Sequence, residues 1–248
     1  MEENEAVTKL IDEIMEDTSF WSGIEKLSSE WGTYADAEDL AEIMGDRMAA
    51  HVVANLESFG LDIVDLDARA VHDLLMEICE QAQTNLNAAA GIGIKPLRRK
   101  YPQAKVNTLI EDLAAVNEDT LADAIAEWIP SLALEMVDAV QEYNLDFQAK
   151  SGLKPVIVRT WSGSYPSHDT KHTDWCKDLA GEYNYGSEPN RVYARHKGCR
   201  CKVEYFPNKE AKGRITALSK GEIDRAGVLW NTRQDTLETR IRNKNKKK

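Results

Sequence analysis

Three of the chain's four cysteines and three of its five histidines fall in one short stretch: His168, His172, Cys176, His196, Cys199 and Cys201. Thiolate sulfur and imidazole nitrogen are the ligands that zinc takes, four at a time and tetrahedrally, commonly as three cysteines and one histidine. The spacings are His172-x3-Cys176 and His196-x2-Cys199-x-Cys201. The ligand set on offer is Cys176, Cys199 and Cys201 with His172 or His196. A helical turn through Thr173, Asp174 and Trp175 would place His172 and Cys176 on one face, because residues four apart are neighbours there. Gly198 lets the chain reverse between His196 and the two cysteines without a Cβ penalty. A structural zinc ion of this kind would stabilise a unit with few apolar residues. Two other arrangements use the same residues. The thiols pack inward reduced, with the histidines bonded to backbone carbonyls, or Cys176 forms a disulfide with Cys199 or Cys201, which a reducing cytosol disfavours.

Catalytic patterns are weaker. Trp161-Ser162-Gly163-Ser164 beside His168 and Asp169 has the residue types of a nucleophile triad, but a triad is defined by geometry. His168, Asp169, His172 and His196 around an ion would be the water-activating set of a metal-dependent nuclease. The chain lacks the Gly-x4-Gly-Lys-Ser/Thr loop, His-Glu-x2-His and Gly-x-Ser-x-Gly. The expectation is a protein without catalytic residues.

The elements that position the cluster divide by charge. The 248 residues carry 42 acids and 31 bases, net −11. Residues 1–150 hold 31 acids against 10 bases, net −21, and residues 151–248 hold 11 against 21, net +10. Such asymmetry points to units with different partners. With 42% apolar and 29% charged residues the chain can bury a core. No apolar run approaches the roughly 20 residues of a membrane span, and Met1-Glu2-Glu3-Asn4-Glu5 is unlike a signal peptide, so a soluble, cytosol-made chain is expected.

The acidic part reads as helical. Leu40, Ile43, Met44, Met48, Val52 and Leu56 make one buried face over Asp36 to Phe59, with Gly60 as C-cap. Leu66 to Ala90 repeats the pattern. A third helix, capped by Asp119-Thr120, runs through Leu121 to Val137, with a kink or break at Pro130. Shorter helices are predicted near Glu5–Glu16 and Ala104–Val116, and a basic linker spans Ile94 to Pro102. Cys79 fits the apolar stripe as a small buried hydrophobe, and His51 and His72 read as core or surface histidines without a metal-spaced companion. Beyond Ser151-Gly152 the period changes. Val156 to Thr160 reads as a strand, and Arg200 to Phe206 alternates with Cys201, Val203 and Tyr205 on one side. Ser219 to Trp230 has the capping-box spacing of a short helix, Ser219 to Glu222. The fold class is therefore α+β: an acidic helical unit (1–150), a small mixed unit with the Cys/His cluster (151–210), and a basic extension (211–248), partly helical or disordered.

Two strings in the mixed unit carry a resemblance. Asp174-Trp175-Cys176-Lys177-Asp178-Leu179-Ala180-Gly181 pairs a Cys-x2-Leu-x-Gly segment with the closing His196-Lys197-Gly198-Cys199-Arg200-Cys201 before a final strand. Asn144-x2-Phe147 through Lys154-Pro155-x-Ile157-x-Arg159 precedes them as a helix-to-strand entry. Over residues 140–207 this resembles the Mu F-like minor head proteins of tailed bacteriophages. Where members often carry Cys-x2-Cys, this chain has Thr173 in place of the first cysteine.

The resemblance implies a structural minor capsid component of few copies. It would meet the portal and major capsid proteins in the host cytoplasm during assembly and lie inside the virion head, with no membrane partner. Some members are thought to contact packaged DNA. Arg240, Arg242, Lys244, Lys246, Lys247 and Lys248 would attract phosphates there, with a merely solubilising tail as the plainer alternative. Two rival functions remain open: a metal-dependent nuclease or toxin-type enzyme domain, and an adaptor whose acidic helices grip a basic partner.

Overall fold

A computed structural model describes residues 3–28, 32–162 and 175–221. In chain order these form α1 (Glu3–Glu16), α2 (Thr18–Ser28), α3 (Tyr34–Phe59), α4 (Asp62–Ala90), α5 (Gln103–Ala114) and α6 (Glu118–Lys150). Then come β1 (Val156–Thr160), β2 (Gly181–Asn184), β3 (Lys202–Phe206) and α7 (Lys209–Gly221). The α+β expectation holds, with helices first and a three-stranded antiparallel sheet of order β2-β1-β3 after them.

The helix ends follow local chemistry. The Thr33 side chain accepts the Ala35 N–H, and Asp36 returns a bond to the Thr33 N–H at 2.8 Å, a capping box that starts α3. Gly60 ends it at φ 59°, its N–H on the Leu56 carbonyl. Helix α6 begins one residue before the expected cap. Asn117, not Asp119-Thr120, accepts the Asp119 N–H at 3.0 Å, so Asp119 falls in the first turn. Helix α2 is absent from the sequence reading, because it starts only two residues after α1 ends; the Asp17 carboxylate accepts the Ser19 N–H at 2.7 Å and restarts the helix there.

Pro130 does not break α6, which runs through it for 33 residues. A proline inside a helix costs about 3 kcal/mol, and here tertiary packing offsets that cost. Pro130 is buried against Gly45 of α3, where a Cβ would come within 2.6 Å of the Pro130 Cα. Helix α3 is the hub of the core, flanked by α4 and α6. His51 lies in this core with Nδ1 on Asp67 at 2.8 Å, and buried His72 stands edge-on to Tyr101.

The sheet shares that core. Ile157 faces Tyr205 and Arg159 faces Val203 across the β1–β3 pair. Ile157, Val203 and Tyr205 belong to the same contiguous apolar cluster as Met44, Leu75 and Val137. Buried amides stitch the layers together. Gln141 Nε2 donates to the Val203 carbonyl at 2.6 Å, and Gln83 Oε1 accepts the hydroxyls of both Tyr34 and Tyr205. Asn144 bonds both the N–H and the carbonyl of Leu97, at 2.9 Å each, and straps the linker to α6.

The C-terminal helix starts earlier than expected. Asn208 accepts the Ala211 N–H at 2.7 Å and caps α7, so Ser219 is an interior residue and not a cap. The strand expected from Arg200 begins at Lys202, although the alternation of buried Cys201, Val203 and Tyr205 is as read.

Glu204, on the opposite face of β3, accepts the Thr33 hydroxyl at 2.6 Å. Burial pushes its carboxyl above the usual range, and the Thr33 bond only partly opposes this. The folded state thus holds that proton more tightly than the unfolded chain does. Stability falls as pH rises from the ordinary glutamate value of about 4.3 through the raised one. Glu204→Gln is expected to flatten that part of the curve in urea midpoints taken from about pH 4 to pH 7. An equally steep fall in the variant would contradict the assignment.

Candidate metal centre

Three chain segments converge on one point. Cys176 stands on a single helical turn over 175–178, His196 and Cys199 are the two ends of a tight turn, and Cys201 immediately precedes β3. The ligand atoms of Cys176, His196 and Cys199 all lie within 4.8 Å of one another, so the group could hold a metal ion. Cys176 and Cys199 have their sulfurs 3.8 Å apart. Cys201 is outside that tightest set, but it is buried with the other two in one small cluster, and its thiol is hydrogen-bonded to both of theirs. All three thiols are closed to solvent, with Trp161 and Trp175 packed over them.

Local backbone chemistry builds the turn. The Cys199 N–H bonds the His196 carbonyl at 3.0 Å, and Gly198 has φ 75° while no other residue type has positive φ among the described residues. That is the type II pattern, which wants glycine at its third position. Lys197 clamps the turn onto the helices, with Nζ 3.0 Å from Asp112 of α5 and 3.5 Å from the ring centre of Trp128 of α6. A Cβ on Gly198 would meet Glu127 Oε1 at 2.7 Å. The Glu127 chain can swing aside, but the left-handed backbone stays strained. Gly198→Ala is therefore expected to cost about 1–2 kcal/mol, read as a lower melting temperature. An unchanged melt would show that the turn is not held as described.

His196 is oriented for ligation. Its Nδ1 lies 2.6 Å from the Lys197 carbonyl, which can only accept, so Nδ1 carries a proton and Nε2 is the nitrogen left for a metal ion. With no ion bound, and against the cost of burial, the bond to Cys199 and the one to Lys197 favour the protonated ring. Ring orientation by such a bond is the usual second layer of a metal site.

Two buried arginines frame the cluster. Arg159, on β1, is 2% exposed and pairs with no carboxylate among the described residues. Its Nη1 donates to the carbonyls of Val192 and Ala194, and its Nη2 lies 3.6 Å from Cys176 Sγ and 3.8 Å from Cys199 Sγ. A buried cation needs compensating negative charge, and among the described residues the sulfurs of Cys176 and Cys199 are the anion-forming atoms against it. The Cys199 thiol is pulled down, first by hydrogen bonds from Cys176 and Cys201 and further by His196 and the Arg195 charge, against the cost of its burial. Its own hydrogen bonds to Cys176 and Cys199, and burial, push the Cys201 thiol up.

Arg195 is fully buried as well. It bonds Glu38 at 2.9 Å, Asp138 at 2.5 and 2.9 Å, and the carbonyl of Cys201. Glu38 also accepts the Val203 N–H. One guanidinium thus ties α3, α6 and the start of β3 together beside the thiols. Further out, Arg200 pairs with Glu42 and Asp46, and Lys202 with Asp39. Part of the acidic surface of the first 150 residues is matched by the basic segment that follows.

The structure brings together Cys176, His196, Cys199 and Cys201 of the expected set. His168, Asp169 and His172 lie outside the described residues, as do Arg240, Arg242, Lys244 and Lys246–Lys248. The roles of Arg159 and Arg195 are missing from the sequence reading. A signal for Arg159 existed: it is two residues from Ile157 in a β-branched run and must share its inward face. Arg195 left none, since its two carboxylates come from helices far away in sequence. Among the described residues, no helix is long and apolar enough to cross a membrane. No family model, curated protein or solved structure matches this chain.

Proposed function

We propose that this chain is a structural minor head protein of a tailed bacteriophage whose C-terminal cap is pinned by one zinc ion. One observation carries the proposal. Cys176, Cys199 and Cys201, which lie in the strings that carry the resemblance to Mu F-like head proteins, are buried together with Arg159 against them and the half-buried His196 beside them. Three thiolates and a neutral imidazole around a divalent ion leave one negative charge, and the buried Arg159 guanidinium is placed to neutralise it. Cys201, buried with Cys176 and Cys199, is the fourth ligand in this reading. A site with all four positions filled by protein is structural, whereas catalytic zinc keeps a position open.

In this reading the cap and the acidic helices give the portal and major capsid proteins a rigid surface inside the head. The run of bases from Arg240 to Lys248 supplies a phosphate-attracting end for packaged DNA. The test is to follow the protein through particle assembly. It should remain with purified heads and be captured by the portal protein. Metal-dependent DNA cleavage would overturn the proposal in favour of a nuclease. Recovery only outside particles would overturn it in favour of an adaptor.

A further inference from the structure

A second cluster lies between the C-terminal half of α6 and the loop after β2. There a cavity of about 350 Å³ is walled by Tyr143, Tyr185 and Tyr193 and rimmed by the carboxylates of Glu142, Asp146 and Glu188. Tyr143 and Tyr185 are among the few large apolar side chains left exposed. Asp146 is occupied by Lys150 and by the Tyr185 hydroxyl at 2.8 Å. Glu142 and Glu188 have no cationic partner among the described residues. Arg99 is the one base in the lining, 4.9 Å from the Tyr143 ring centre, so three carboxylates face one guanidinium.

Two polar atoms of this wall are unsatisfied. Glu188 Oε2 and Tyr193 Oη are closed to solvent and have no hydrogen-bond partner. They are electrically close: after burial, the charges of Asp138, Glu142 and Glu188 hold the Tyr193 hydroxyl well above its usual range. A buried carboxylate oxygen and a phenol, both unmatched on residues of one cavity wall, call for a ligand that brings donors and positive charge.

We propose that this cavity binds an organic cation, an alkylammonium or guanidinium group. An ammonium brings three donors, enough for Glu188 Oε2 and Tyr193 Oη together. The tyrosine faces attract it through their quadrupoles. A hard metal cation would instead lose water to aromatic walls that offer few oxygens in return. The volume suits one side chain or a small amine. The same group could arrive on a free polyamine or on a lysine or arginine of a peptide. The inference does not depend on the metal centre.

The test is calorimetric titration of the full chain, at near-physiological salt, with two probes: spermidine, and the nonapeptide of residues 240–248. Saturable binding of at least one is expected, weakened at least tenfold by Glu188→Gln and by Tyr143→Ala. Tyr143 is surface-exposed, so its loss leaves the core intact should Glu188→Gln fail to fold. Binding of spermidine alone identifies a free amine as the source, and binding of the peptide alone identifies a basic side chain. Absence of saturable binding, or binding that both variants leave unchanged, would overturn the proposal, the latter by showing only general attraction to an acidic surface.

Discussion

Arg195→Met is expected to lose about 3–5 kcal/mol of stability, the cost of leaving buried carboxylates without their cation. In a chain of this size that is a fall in melting temperature on the order of 10 °C. Methionine roughly fills the volume, so a cavity does not explain the loss. What it leaves behind is Glu38 and Asp138, both buried, together with the Cys201 carbonyl stripped of its donor. The burial that pushes the Glu38 carboxyl up is then unopposed by the neighbouring guanidinium. A triple variant that adds Glu38→Gln and Asp138→Asn removes both charges while keeping an acceptor for the Val203 N–H. It should recover at least half of the loss. A single variant with a cost below about 1 kcal/mol would mean that the triad behaves as a surface pair and not as the link between sheet and helices.

Loss of the proposed metal should act more locally. Treatment of the protein with a chelator, or Cys199→Ser, would remove the metal tie between the 175–178 turn, the His196–Cys199 turn and the approach to β3, leaving the Arg159 and Arg195 contacts. The helical core does not depend on that tie. Hydrogen exchange is therefore expected to accelerate about a hundredfold, some 2.7 kcal/mol of local opening, at the amides of Val156–Thr160 and Lys202–Phe206. Amides in the middle of α3 and α4 should change little. Uniform acceleration through the chain would mean that the cluster stabilises the whole fold and not a cap. No change anywhere would mean that the thiols are only small buried hydrophobes, one of the arrangements the sequence leaves open.

Much of the helical layer was legible because its information is local. Leu40 to Leu56 carry a period that only a helix satisfies, and Gly60 marks the end of α3 by a backbone angle that other residues avoid. The Val203/Tyr205 alternation placed Cys201 on the inward face in the same way. Errors arose where distant residues decide. Pro130 is tolerated because Gly45, far off in sequence, lets α3 come close. Asn117 outcompeted Asp119 as a cap from two positions upstream, a choice that the composition of the first turn does not reveal. In the metal centre, spacing sufficed to group Cys199, Cys201 and His196, since a glycine turn brings them together locally. The buried charges were not legible. Glu38 and Asp138 look like two more members of a solvated acidic face until Arg195 is brought between them. The asymmetry between an acidic half and a basic half is likewise partly internal, as the pairs from Arg200 and Lys202 to α3 show.

The central claim is that Cys176, His196, Cys199 and Cys201 hold one metal ion. It is tested most directly by the metal content of the purified full chain, read with the absorption of its cobalt-exchanged form. The account predicts one zinc per chain, and for cobalt the intense visible bands of a tetrahedral site with sulfur-to-metal charge transfer in the near ultraviolet. A metal-free chain with all four thiols reactive on unfolding, and no cobalt spectrum after exchange, would contradict it.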